Sequence, residues 1–196
     1  MDRAARARQS IDAAHAADPH PAPDGRPAEL AYADRIESWV RRLVPAAEEV
    51  LLLAARCQHL ERFKVPRTSY PDGKAGYHAW RRSLYATQAN RCAELLTAAG
   101  YAADEAARAA AWVGKEDLKS DPGSQALEDA ACLVFLENEI VAFSQQHADY
   151  PREKWIDILR KTWRKMSPAA QTAALTLSFS PELAALLSEA RSSVRP

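Results

Sequence analysis

Twelve prolines interrupt this sequence, and the stretches between them consist mostly of residues that favour helices. Glycine occurs only six times, and no stretch rich in Val, Ile or Thr alternates with polar residues as a half-buried strand would. Alanine and other helix formers dominate nearly every window, with apolar residues recurring every three or four positions. The sequence therefore predicts an all-α protein, a bundle of eight or nine helices.

Helix-breaking residues set the predicted ends of these helices. A central helix, apolar around its whole circumference at 50–55, is predicted from Pro45 to Phe63. A loop from Lys64 to Gly76 follows it and is longer than a helix connection requires. The other helices are predicted over 2–17, 27–43, 77–100, 104–119, 124–147 and 151–166, and after the caps Ser167 and Ser180.

In length and composition the chain matches one domain. It has 196 residues, of which 47% are apolar, and is long enough to bury a sizeable core. We predict a single domain over 1–196 with its core at about 28–178. The first helix, 2–17, and a last helix, 180–192, are expected at the periphery of that core.

The cysteine spacing and the length of the apolar stretches indicate in which cellular compartment the protein is expected. Cys57, Cys92 and Cys132 are far apart and show no C-x-x-C spacing, which argues against a disulfide frame and against a zinc site. No stretch approaches the roughly 20 apolar residues that cross a bilayer, and the first residues lack the apolar core of a secretory signal. We expect a cytoplasmic protein with no membrane partner.

Charge is balanced over the whole chain but not along it. Lys and Arg total 26, as do Asp and Glu. Residues 56–91 carry a net charge of +6 and residues 151–166 a net charge of +4, whereas residues 92–150 carry −8. Aromatic residues are interleaved with the first basic block, and Arg beside aromatic rings suits an anionic ligand. The alternative interpretation is a solvated basic face with ordinary aromatic packing.

The first basic block predicts a pocket for a small anionic molecule. On a helix, Arg56, His59 and Arg62 are three residues apart and share one edge. His59 is interpreted either as a metal ligand or as a hydrogen-bonded residue at a helix end. The predicted substrate-binding residues, drawn from this helix, the loop and later helices, are Arg56, Gln58, Arg62, Arg67, Tyr70, Tyr77, Arg81 and Lys115.

Two acids interrupt an apolar run at 127–137. Asp129 has apolar residues on its own face of the helix and is expected to be buried, so a cation or a set of hydrogen-bond donors must meet its charge. The candidates are an Arg, a protonated His and a bound metal ion. Glu128 lies about 100° around the helix and is either a second ligand or a surface residue. Pairing of Arg56 and Arg81 with these two acids is the alternative to the anion pocket.

A central helix ending in a His-bearing polar motif and a later helix with a buried acid together resemble the HD-domain superfamily of metal-dependent phosphohydrolases. The resemblance implies a divalent metal held by Asp34, His59 and Asp129, with His59 and Asp129 as catalytic residues. That superfamily has an adjacent His-Asp pair on the central helix and a His on an early helix. This sequence has Gln58 beside His59, and Asp34 in place of the early His, so two of the four ligand types differ.

A second resemblance covers about residues 8–178 and is to the family called domain of unknown function 4202. The motifs that carry it are AARCQHLERF at 54–63, PRTSYP at 66–71, GYHAWR at 76–81, the run 127–137 and RKTWRKMSP at 160–168. The resemblance implies a shared helical fold and a shared polar site, because the shared letters include the Arg, His, Tyr and Asp residues singled out above.

Three functions follow from these observations. The leading hypothesis is an HD-like enzyme that hydrolyses a small phosphorylated or nucleotide-type molecule with the help of a divalent metal. The alternative is a non-catalytic module that binds an anion or nucleotide on a degenerate HD scaffold, as the substituted metal ligands indicate. The third is RNA binding through the basic blocks 56–91 and 160–165, which the acidic segment disfavours because it repels the same backbone.

Overall fold

The computed structural model describes residues 1–118 and 120–193, and over these residues all regular secondary structure is helical. The all-α prediction is confirmed. The α-helices in the described residues are α1 Arg3–Ala16, α2 Ala28–Leu43, α3 Glu49–Arg56, α4 Gly73–Ala99, α5 Ala103–Val113, α6 Pro122–Val134, α7 Ile140–Gln146, α8 Arg152–Lys165, α9 Pro168–Ala174 and α10 Pro181–Ser192.

The described residues thus hold ten α-helices, more than the eight or nine predicted. The difference arises at 124–147, where a single helix was predicted. A π-helical turn at Phe135–Glu139 divides this stretch into α6 and α7. The predicted extent is close to the observed one, but an amphipathic pattern does not reveal a π turn inside a helix.

The chain forms two compact units, Met1–Leu127 and Glu128–Pro196. The first unit contains α1 to α5 and the start of α6, and the second contains the rest of α6 and α7 to α10. Two such units can belong to one domain or to two, so the single-domain organisation stays a prediction, as does the HD-like layout. No helix within the described residues combines the length and apolarity needed to cross a membrane.

Helix α3 lies at the centre of the first unit, as predicted for the central helix. It packs against α1, α2 and α5, and α4 packs along α5 and α1. Leu53, Ala54 and Ala55 of α3 are buried. This apolar circumference fixes α3 in the core, and the residues that follow it along the chain therefore lie close to the neighbouring helices.

The predicted end of the central helix is wrong. Helix α3 ends at Arg56 rather than Phe63, and the chain then turns, with His59 and Glu61 at φ values of 61° and 54°. A short 3₁₀ turn at Arg62–Lys64 follows. Helix propensity is a weak preference that contacts with other helices overrule, and here α2 supplies those contacts.

Helix α4 begins four residues earlier than predicted, at Gly73 instead of Tyr77. The preceding loop contains a 3₁₀ turn at Arg67–Ser69. Gly76 lies against the loop so closely that a Cβ there would stand 1.8 Å from the Pro71 carbonyl oxygen. The helix ends as predicted at Gly100, whose φ of 96° is the left-handed conformation that favours glycine.

In the second unit, α8 packs against α10. The predicted caps are both present: the hydroxyls of Ser167 and Ser180 accept hydrogen bonds from the backbone N–H groups of Ala170 and Leu183. Each cap is followed by proline at the first helical position. Leu159 of α8 and Ala190 of α10 are fully buried in this unit.

Candidate anion-binding site

Arg56, the last residue of α3, is the centre of a buried ion-pair network in the first unit. Its guanidinium donates to the Asp12 carboxylate of α1, and to Asp34 and Glu37 of α2 at 2.8 Å and 3.0 Å. The Arg56 side chain is only 5% exposed. These three acids explain why an Arg is tolerated in the core, since a buried charge without partners is strongly destabilising.

The network favours the ionised forms of Arg56, Asp34 and Glu37. Burial lowers the pKa of Arg56, but hydrogen bonds from Asp12 and Asp34 outweigh it and raise that pKa overall. Burial likewise raises the pKa of Asp34, yet the hydrogen bonds from Arg26 and Arg56 leave it lowered. Arg56 is therefore committed to acids from α1 and α2. Its predicted alternative pairing with acids of segment 92–150 is wrong.

Helix α2 shapes the turn that carries His59. The Glu29 carboxylate accepts a hydrogen bond of 2.7 Å from the Phe63 N–H, which fixes the end of the turn. One helical turn further on, the Tyr32 ring stacks on the His59 imidazole, with ring centroids 4.0 Å apart and planes 9° from parallel. His59 and Arg62 are thus brought together by a tight turn rather than by one edge of a helix.

Arg62 covers the other face of the His59 ring. Its Nη1 atom lies 3.3 Å from Nδ1 and 3.1 Å from Nε2. An atom nearly equidistant from both ring nitrogens at this range would clash with the carbon between them if it lay in the ring plane, so Nη1 lies over the face. The guanidinium also stands 4.9 Å from the centre of the Trp80 ring. Tyr32, His59, Arg62 and Trp80 therefore form one continuous stack.

This stack leaves the edges of the His59 ring without a protein partner. Among the described residues, only Arg62 lies within hydrogen-bond distance of the ring nitrogens, and it lies over the face. Burial and the positive charges of Arg62, Arg81 and Lys115 hold the pKa of His59 well below its usual value. The imidazole is neutral at pH 7, with one nitrogen that accepts and one N–H that donates in the ring plane.

Arg81 and Lys115 approach the same histidine beside Tyr85. Arg81 donates to the Tyr85 hydroxyl, with Nε at 3.1 Å, and its guanidinium stands 5.0 Å from the centre of that ring. Lys115 has a φ of 59° and brings its Nζ to 5.5 Å from the ring. We call the following residues the His59 cluster: Tyr32, His59, Arg62, Trp80, Arg81, Tyr85 and Lys115.

Two members of the His59 cluster have unusual backbone conformations. His59 and Lys115 are both non-glycine residues in the left-handed region. This conformation costs about 1–2 kcal/mol at each such residue. Strained residues of this kind persist where the surrounding structure holds them, and they concentrate at functional sites. Backbone strain and positive charge therefore point to the same cluster of residues.

The remaining predicted ligand-binding residues lie elsewhere in the first unit. Arg67 donates to the Tyr70 and Pro71 carbonyls, both at 2.9 Å, and so holds the loop before α4. Gln58 is buried, and its Nε2 atom has no hydrogen-bond partner within the described part of the chain. Tyr77 is 44% exposed, with its ring 6.0 Å from that of Trp80. Tyr77 adjoins the His59 cluster through Trp80, and Gln58 directly precedes His59 along the chain.

Asp129 lies in the second unit and is buried, as predicted. Its two oxygens accept hydrogen bonds from Ser167, one from the N–H at 2.8 Å and one from the hydroxyl at 2.5 Å. The neighbouring Glu128 is buried too and pairs with Lys165 at 2.9 Å. The start of α9 and the end of α8 thus supply partners for both acids, and Ser167 was not among the expected ones.

The side chains of the first unit do not fit a divalent metal. Both Asp34 oxygens accept from arginines, Arg56 at 2.8 Å and Arg26 at 2.6 Å. His59 is surrounded by three cations that would repel a metal ion. Across residues 1–118 and 120–193, no group of three or more His, Cys, Asp or Glu side chains is arranged to hold a metal. No step below depends on a metal.

Comparison with protein families identifies the family of this chain. The model of the family described as Domain of unknown function (DUF4202) matches residues 5–187. The chain belongs to this family. The match includes the His59 cluster and the Asp129 segment, so the DUF4202 resemblance is confirmed. No curated protein matches the chain. No solved structure matches it either.

The sequence missed the residues of α2 that shape the site. Tyr32 and Glu29 carried no signal, because an amphipathic helix of ordinary composition contains both kinds of residue. Trp80 and Tyr85 were visible only as aromatic residues within the basic block. Glu29 is only 8% exposed and therefore needs a partner, but this burial is seen only in the structure.

Proposed function

We propose that the first unit binds a small anionic molecule, phosphorylated or nucleotide-type, at the His59 cluster. The observation that supports this most is the convergence of Arg62, Arg81 and Lys115 on a neutral imidazole whose edges have no partner within residues 1–118 and 120–193. Among the described residues, Arg62 forms no ion pair with a carboxylate. A phosphate group supplies negative charge and acceptor oxygens, which suit the Arg62 guanidinium and the N–H of His59.

Titration calorimetry with pyrophosphate and with a nucleoside monophosphate tests this proposal. We expect one ligand per chain, and a loss of about tenfold in affinity in Arg62→Gln, which removes a charged donor. Arg82→Gln is the matched control, because Arg82 is an exposed arginine on the same helix as Arg81. Equal affinity in the two variants, or no binding of either compound, overturns the proposal.

Catalysis is the second candidate, because a neutral His59 imidazole can accept a proton from the water that attacks a bound phosphate ester. The positive charges that lower its pKa make it a weaker base than an ordinary histidine, and a bound anion would offset part of that effect. Metal-dependent phosphohydrolysis, which the HD resemblance implies for His59, Asp34 and Asp129, stays a prediction. Arg62, Arg81 and Lys115 surround His59 with positive charge, which favours binding of an anion over binding of a metal ion.

Product analysis separates binding from catalysis. Hydrolysis that is lost in His59→Asn supports catalysis by this residue, since Asn keeps hydrogen-bonding capacity and tolerates the left-handed backbone. Hydrolysis lost on adding a chelator, with metal found in the purified protein, supports the metal-dependent form. Stabilisation by the ligand without any turnover supports the non-catalytic module.

The cytoplasmic location stays a prediction.

RNA binding is distinguished from these candidates by its response to salt. Contacts with many phosphates make the affinity fall steeply as the salt concentration rises, whereas one small anion displaces few ions. A steep dependence with a single-stranded oligonucleotide, together with no binding of mononucleotides, supports RNA. We expect the opposite result, because the cations are gathered around a single histidine.

A further inference from the structure

We infer that the second unit holds a separate binding site for a small, largely apolar molecule that contains an aromatic ring. A cavity of about 470 Å³ lies between α7, the start of α8 and the start of α10. This volume falls within the roughly 300–1,000 Å³ of small-molecule sites. The residues that line it are Ile140, Val141, Ser144, Ala148, Tyr150, Arg152, Trp155, Ser180, Glu182, Leu183 and Leu186. We call this the α7–α10 pocket.

The burial of these residues distinguishes the floor of the pocket from its rim. Ile140 and Leu186 are 2% and 8% exposed and form an apolar floor. Val141 is 61% exposed, which is unusual for a large aliphatic residue next to a cavity, and it belongs to the rim. An apolar ligand would cover both the floor and Val141, and removing that surface from water favours binding.

Tyr150 and Trp155 form the aromatic wall of the pocket, and contacts with two neighbouring rings hold them in place. Trp155 meets Phe143 edge-on, with ring centroids 5.7 Å apart and planes 83° from parallel. Tyr150 stacks on His147 at 4.5 Å, and His147 in turn lies 4.5 Å from Phe143. These four rings fix one another, so the two that line the pocket are already in place before a ligand arrives. Rigid aromatic walls suit a planar ring.

A π-helical turn lies directly before the pocket. Phe135–Glu139 has this rare geometry, and Ile140 and Val141 are the first residues of the helix that follows it. Turns of this type inside helices occur frequently at functional sites. Here the turn sets the rotation of α7, with Ile140 facing the floor and Val141 facing the rim. This observation is independent of the cavity volume.

Three polar side chains of the pocket are already engaged, which supports a largely apolar ligand. The Ser144 hydroxyl donates to the Val141 carbonyl at 2.7 Å and keeps only acceptor capacity. The Ser180 hydroxyl caps α10. Arg152 pairs with Glu189 at 2.6 Å, so an anionic ligand would have to compete for it. A ligand with one N–H or O–H donor finds an acceptor in Ser144, or in the exposed carboxylate of Glu182.

Indole is a suitable probe, since it has a planar apolar ring system and one N–H donor. Binding to the full chain is measured by ligand-observed NMR and by calorimetry. We expect one indole per chain, and a loss of about tenfold in affinity in Ala148→Phe, which fills the pocket from an exposed turn. Ala142→Phe is the matched control, because Ala142 is exposed, lies on α7 and does not line the pocket.

Three outcomes decide the inference. Indole affinity that falls in Ala148→Phe and not in Ala142→Phe supports it. No binding of indole, or equal binding by the two variants, overturns it. Stronger binding of cyclohexanol than of indole overturns the assignment to an aromatic ligand. Both variants alter residues of the second unit and the probe is uncharged, so this test is independent of the function proposed for the first unit.

Discussion

At the scale of single residues, Arg56 at the end of α3 and Arg62 in the turn after it have opposite roles. Arg56 is buried among three acids and stabilises the fold. Arg62, six residues later, covers a histidine and an indole ring, with no ion pair to a carboxylate among the described residues. The sequence pattern grouped the two together as ligand-binding residues. What distinguishes the two arginines is that acids of α1 and α2 lie close to Arg56. Local sequence spacing does not reveal such contacts between helices.

Arg56→Met tests the structural role of the first of these arginines. Removing the guanidinium leaves the buried Glu37 and its neighbours without their shared cation, so we expect a loss of about 3–5 kcal/mol in the free energy of unfolding. Urea denaturation measures it. Arg41→Met is the control, since Arg41 also pairs with Glu37 but is 54% exposed, and its loss should cost about 1 kcal/mol or less. Similar losses in the two variants would show that the network is not centred on Arg56.

The protonation state of His59 is a second prediction at this scale. Burial and the charges of Arg62, Arg81 and Lys115 lower its pKa, so the ring should stay neutral as the pH falls through about 6.5, where an unperturbed histidine gains a proton. NMR chemical shifts of the imidazole nitrogens report this directly. Arg62→Gln should raise the pKa of His59, because it removes one of the three charges. An unshifted titration in the wild-type protein contradicts the arrangement described here.

At the scale of helices, the sequence predicted where most elements begin and end, because proline, glycine and capping serines act locally. Ser167, Ser180 and Gly100 end or begin helices as their chemistry requires. The errors lie where distant contacts decide. The turn at His59 depends on Glu29 and Tyr32 of α2, about thirty residues away in the sequence. The π turn at Phe135–Glu139 likewise has no local signature.

Gly76→Ala tests how α4 is joined to the loop before it. The new Cβ would lie 1.8 Å from the Pro71 carbonyl oxygen, which is backbone and cannot rotate away. We expect the first turns of α4 to shift, at a cost of about 1–3 kcal/mol in the free energy of unfolding. Lys74→Ala, at an exposed position in the same turn, is the control and should change stability little. Urea denaturation compares the two, and equal stabilities would contradict the close approach.

At the scale of the whole molecule, the net charge of zero includes two regions that differ in their electrostatics: the ion-paired network around Arg56 and the His59 cluster. Acids and arginines of α1 to α3 neutralise one another inside the first unit. The His59 cluster instead gathers cations around a neutral ring. Segment charges taken from the sequence showed that the chain is polarised. They did not show which charges are paired, because pairing depends on contacts between helices.

The response of stability to pH follows from these two situations. The pKa of His59 is lower in the folded state than in the unfolded state, so the unfolded chain binds more protons and stability falls as the pH drops below about 6.5. The pKa values of Asp34 and Glu37 are also lowered, so their contribution is present above about pH 4 and is lost as the pH falls further. We therefore expect stability to decline in two stages.

Urea denaturation at a series of pH values resolves these stages, and two variants assign them. His59→Asn should remove the stage that begins below about pH 6.5 and leave the one below about pH 4, because Asn does not titrate. Arg56→Met should weaken the stage below about pH 4, since Asp34 and Glu37 lose the cation that they share. A wild-type protein equally stable at pH values of about 7.5 and 5.5 would mean that His59 is protonated as easily in the folded chain as in water, and the cationic cluster would then not exist in solution.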